Sequence, residues 1–100
     1  MQVPYNLLLP GTLRRARWKV KIRDKENREP PHVTILRGTL AWRINLRTGE
    51  FMDQIPDPDE VPHEIICHIK ADETWILLCE QWDLMYPTNP VHERDDENGE

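Results

Sequence analysis

The chain has 100 residues, 38% of them apolar and 31% charged, enough for one small domain with one core and too few for two. No run approaches the ~18 consecutive apolar residues of a membrane-spanning helix, so a membrane partner is not expected. The net charge of −5 conceals a polarity: residues 1–49 carry eleven Lys or Arg against three Asp or Glu (+8), and residues 50–100 carry two against fifteen (−13). Such an imbalance serves either an anionic partner or mutual neutralisation of the two halves.

The stretch Met1 to Pro10 has no basic region and only three consecutive leucines, unlike a signal or transit peptide. A cytoplasmic location is therefore expected, with Cys67 and Cys79 as free thiols. Residues 1–13 read as an N-terminal arm, because Pro4 interrupts ladder bonding and Pro10-Gly11 signals a turn; Leu7 and Leu9 can still lay a short edge strand. Residues 14–23 read as a strand. Ala16, Trp18, Val20 and Ile22 fall on one face, and Arg15, Arg17, Lys19, Lys21 and Arg23 on the other.

A polar loop at 24–31 ends in Pro30-Pro31, which delivers the chain in extended form into a strand at 32–37. The turn at Arg37-Gly38 leads to a strand at 39–47, where Leu40, Trp42, Ile44 and Leu46 alternate with Ala41, Arg43, Asn45 and Arg47. Thr48-Gly49 supplies the next turn, and 50–54 is expected as a short last strand. Pro56 and Pro58 then end the sheet. Val61, Ile65, Ile66 and Ile69 share one side of a helical wheel, predicting a helix at about 60–70, with Asp57 and Asp59 near its start. Asp72 is placed to cap a second helix that runs to about Tyr86, before Pro87.

On that helix Trp75, Leu78, Cys79, Trp82 and Tyr86 form one stripe. Ile76, Leu77 and Leu84 lie outside it and mark a surface for a protein partner or for self-association. Residues 87–100, acidic and rich in proline, read as a disordered tail. The expected architecture is a single α+β domain over 14–86, a small antiparallel sheet of three to five strands with two C-terminal helices packed on one face.

Three groups of residues bear on chemistry. Arg17, Lys19, Lys21 and Arg23, extended across the sheet by Arg43 and Arg47, form a basic face suited to nucleic acid or another anionic partner. Alternate strand residues lie roughly 6.5–7 Å apart, near the spacing of backbone phosphates. The aromatic residues that stack bases are missing from that face. His63-Glu64-Ile65-Ile66-Cys67-His68 resembles the zincin His-Glu-x-x-His in composition, but Cys67 occupies the i+4 position and His68 sits about 100° further round. His63 and Cys67 are thus the metal candidates, without a third ligand nearby in sequence. His32, after the rigid diproline, is the one candidate general base. The chain has no Ser, no glycine-rich phosphate loop and no motif for a cofactor, so an enzyme is disfavoured and no cofactor is expected.

At Glu29-Pro30-Pro31-His32-Val33-Thr34, the Arg37-Gly38 hairpin and Leu78-x-x-x-Trp82, the sequence resembles the bacterial domain of unknown function 4160 family. The resemblance spans roughly residues 15–86. It implies a small sheet followed by C-terminal helices, and a gene set beside that of a second small protein, similar to toxin–antitoxin pairs. The resemblance names no reaction. The outer apolar positions of the second helix and the charge polarity point to an interaction module that binds a protein partner or itself, as one half of such a pair or a homo-oligomer. The basic strand face points to the alternative, a nucleic-acid-binding regulator or RNA-directed toxin. The family pattern carries a second histidine two residues after the first; here that position is Thr34.

Overall fold

The computed structural model describes residues 5–24 and 28–92. Four antiparallel strands form one open sheet in the order of the chain: β1 (Tyr5–Leu7), β2 (Lys19–Ile22), β3 (His32–Arg37) and β4 (Leu40–Asn45). One turn of helix, α1 (Gly11–Arg15), lies between β1 and β2, and a 3-10 turn at Pro58–Glu60 precedes α2 (His63–Lys70) and α3 (Asp72–Met85). This is the expected α+β arrangement. Among the described residues no helix is long and apolar enough to cross a membrane.

Register explains the layering. Val20 pairs with Ile35 and Ile35 with Trp42, while Val33 pairs with Ile44, so one face of the sheet is continuously apolar. Those residues are buried together with Ile65 and Ile69 of α2 and Leu78, Trp82 and Met85 of α3. Each fully buried side chain of this size contributes roughly 1.5–3 kcal/mol by area, as an upper estimate. The opposite face carries Lys19, Lys21, Thr34, Leu36, Ala41 and Arg43. Gly38 and Gly49 both have positive φ, 62° and 79°, as the turns after β3 and β4 require.

The structure corrects several expectations. The strand predicted at 14–23 starts only at Lys19, because Gly11–Arg15 is helical. A single helical turn is too short to display a 3.6-residue period, and the alternation of Arg15, Ala16, Arg17 and Trp18 at its end imitates a strand. The arm is part of the fold: Tyr5, Asn6 and Leu7 pair with Ile22, Lys21 and Val20, and Leu9 and Leu13 enter the core. Leu40 is exposed; it opens β4 directly after the Gly38 turn, at the tip of the β3–β4 hairpin. The last strand reduces to one bridge, Ile44 to Phe51. Asp72 is the first residue of α3 and not its cap, which is Ala71 and makes no side-chain bond.

The expected tail is also corrected over residues 87–92. Val91 is fully buried; its N–H donates to Asp83 Oδ1 at 2.8 Å, and the indole N–H of Trp82 donates to the Asn89 carbonyl at 2.7 Å. The core therefore draws on residues at both ends of 14–86. Residues 93–100 lie outside the described residues.

Candidate anionic-partner surface

The α1–β2 corner is built by a reversal whose side chain is unusual. Ala16 caps α1, and the next two amides turn back: Arg17 N–H donates to the Arg14 carbonyl at 2.9 Å and Trp18 N–H to the Leu13 carbonyl at 3.1 Å. This is the Schellman pattern, with buried Leu13 and Trp18 at its apolar contact positions. Its left-handed position is normally glycine, but here Arg17 holds φ 73°. That conformation costs an L-residue about 1–2 kcal/mol. Strain of this kind concentrates where a side chain is needed for function. Arg37 braces the corner, donating from Nε to the Ala16 carbonyl at 3.2 Å with its guanidinium 5.2 Å from the centre of the Trp18 ring.

Beside this corner lie two adjoining clefts. One, of about 500 Å³, is lined by Arg14, Arg17, Lys19, Lys21, Leu36 and Gly38. The other, of about 390 Å³, has the same four cations around an apolar wall that includes Leu7, Leu9, Trp18 and Val20. Among the described residues none of these four cations forms an ion pair. Arg14, Arg17 and Lys19 are exposed and Lys21 is half-buried. Like charges gathered around a concavity raise the local concentration of anions.

The predicted basic face is therefore re-divided. Arg17 belongs to it through the corner and not through a strand, and Arg14 joins it unforeseen. Arg23 follows β2 and lines neither cleft. Arg43 is engaged elsewhere: its Nε and Nη2 bind both Asp53 carboxylate oxygens at 2.9 and 2.7 Å, and its Nη1 binds Glu29 at 2.7 Å. The hydrogen bond from Arg43 is the main cause holding the Asp53 carboxyl below its ordinary range. Arg47 donates to the carbonyls of Val91 and Pro90, both at 2.7 Å, and ties the end of β4 to the 87–92 segment.

His32, the candidate base, is sealed from solvent. Its Nδ1 donates to the Pro30 carbonyl at 2.8 Å, its Nε2 lies 3.7 Å from Glu29, and its ring is 5.4 Å from that of Trp82. Neighbouring Thr34 is 1% exposed, and its hydroxyl has no hydrogen-bond partner among the described residues. His63 and Cys67 do come together, with Nε2 and Sγ 3.1 Å apart on the exposed side of α2. Among the described residues no group of three or more His, Cys, Asp or Glu is placed to hold a metal. Ile76 and Leu84, 57% and 72% exposed, and the less exposed Leu77 stand on the outer side of α3 as expected.

Arg14 was missed because the predicted strand alternation puts position 14 on the face of Ala16, Trp18 and Val20, whereas it sits on a helix of one turn. The available signal was the pair Arg14-Arg15 three residues after Gly11, within one turn of Pro10-Gly11, where a short helix start is permitted. No protein-family model, curated protein or solved structure matches the chain.

Proposed function

We propose that the protein is an interaction module that receives an acidic, partly apolar segment of a protein partner in the paired clefts beside α1 and β2. The observation that carries this reading is the ring of four cations, without ion pairs among the described residues, around an apolar wall. Charge would steer and orient the partner, and burial of its apolar side chains would supply affinity. A nucleic acid would use the same charge but would leave the apolar wall unmatched, and the nearest aromatic residue, Trp18, is buried.

Fluorescence anisotropy with a labelled peptide of alternating Glu and Leu tests the proposal against a labelled oligothymidylate of similar charge. The peptide is expected to bind in a salt-dependent manner, and Lys19→Glu combined with Lys21→Glu to weaken it by about tenfold or more. Binding of the oligothymidylate in preference to the peptide would transfer the surface to nucleic acid. Binding of neither probe at low salt would remove the reading.

A further inference from the structure

A second site lies on the outer face of α2. Positions i and i+4 of a helix stand one above the other, so His63 and Cys67 project together from the side opposite Ile65 and Ile69. Ile65 and Ile69 are fully buried, whereas His63 and Cys67 are both exposed. The 3.1 Å between His63 Nε2 and Cys67 Sγ is a hydrogen-bonding distance, and at that distance the thiol proton can pass to the imidazole. A nucleophile and a base in direct contact, open to solvent, form the arrangement used for thiol chemistry.

The other cysteine provides the contrast. Cys79 is buried in the core, and burial, with Asp83 and Glu80 adding to it, pushes its thiol up to about 11. It stays protonated and covered at neutral pH. One thiol of the two is thus equipped to react.

We propose that Cys67 is a modification site at which small disulfides of the glutathione class exchange, with His63 as the base. The Cys67 proton passes to His63 Nε2, and the thiolate attacks one sulfur of the disulfide. A Cys67–sulfur bond forms as the original sulfur–sulfur bond breaks, and the departing thiolate takes the proton from His63 to leave as a free thiol. The incoming disulfide is the oxidant: one disulfide bond is consumed and one is made, so the electrons balance. The product is a mixed disulfide that covers the exposed side of α2.

The native chain is treated with oxidised glutathione at neutral pH, and the adduct is followed by intact mass and located by peptide mapping. One adduct is expected, at Cys67, forming about tenfold or more faster than in the His63→Gln variant. Cys67→Ser is expected to lose it. His63 is exposed, so His63→Gln is expected to keep the thermal unfolding profile of the parent, and equal profiles validate the comparison. The chain unfolded in urea, in which the two side chains are no longer held together, is expected to lose the Cys67 rate advantage. Equal rates for parent and His63→Gln, a Cys67 rate unchanged by unfolding, or first modification at Cys79 in the native chain would each overturn the proposal.

Discussion

Replacing Arg17 by glycine separates the stability of the α1–β2 corner from its use. The left-handed φ of 73° costs an L-residue about 1–2 kcal/mol, and glycine removes that cost. Against this, glycine loses about 0.5–1 kcal/mol more chain entropy on folding, which leaves a net gain of up to about 1.5 kcal/mol. For a domain of this size the midpoint of thermal unfolding should rise, by up to about 12 °C at about 4–8 °C per kcal/mol. The same substitution removes one of the four cleft cations. Affinity for the acidic peptide should fall by about two- to fivefold, the value of an exposed ion pair of up to about 1 kcal/mol. Arg17→Ala keeps the strained backbone while losing the charge, so it should weaken binding without raising stability. Calorimetry and anisotropy on the three chains measure both quantities. An Arg17→Gly chain less stable than its parent would refute the strain argument, because the side chain would then be stabilising the corner it occupies.

Two further substitutions probe the sheet. Thr34→Val removes a buried hydroxyl without a partner among the described residues and should raise stability by about 1 kcal/mol, with the urea midpoint increasing at constant slope; a loss of similar size would reveal a partner for that hydroxyl. Asp53→Asn addresses the pair with Arg43. The folded-state pKa of Asp53 is depressed, so its contribution is present above the unfolded carboxylate value of about 3.9 and disappears as pH falls through the lower folded value. Urea midpoints measured from pH 6 downward, a range chosen to bracket the unfolded value of about 3.9, should decline less steeply below about pH 4 in the variant. Parallel acid profiles would show that the pair contributes no stability.

The meander was readable because β2 and β4 each bury one face and so print a period of two, and β3 alternates Val33 and Ile35 with Thr34 although it buries His32 and Thr34 on its other face as well. Trp18, Val20, Val33, Ile35, Trp42 and Ile44 were all visible as core on that basis, and the stripe of α3 was visible on the helical period. The α1 turn was not, since five residues cannot establish a period and Arg15, Ala16, Arg17 and Trp18 alternate by coincidence. The 87–92 segment was hidden for a different reason. Its composition is polar, and it is ordered by a few specific bonds to Trp82, Asp83, Arg47 and Glu29, which come from parts of the chain far away in sequence or on another element. The candidate cleft shared that difficulty: the alternation exposed Lys19 and Lys21, but which cations remain uncommitted depends on the tertiary partners of Arg43 and Arg47.

The tie from Arg47 to residues 89–91 has a consequence for the order in which the molecule opens. The strand pairings join close neighbours in sequence, whereas this tie spans more than forty residues, with its bond to the Pro90 carbonyl exposed and that to the Val91 carbonyl part-buried. Contacts of that kind close late and release early. The segment thus works as a latch over the Trp82 edge, and its release would uncover that indole while leaving the meander paired. Local opening then has a natural first step at the C-terminal side of the core, on residues that do not line the cationic clefts.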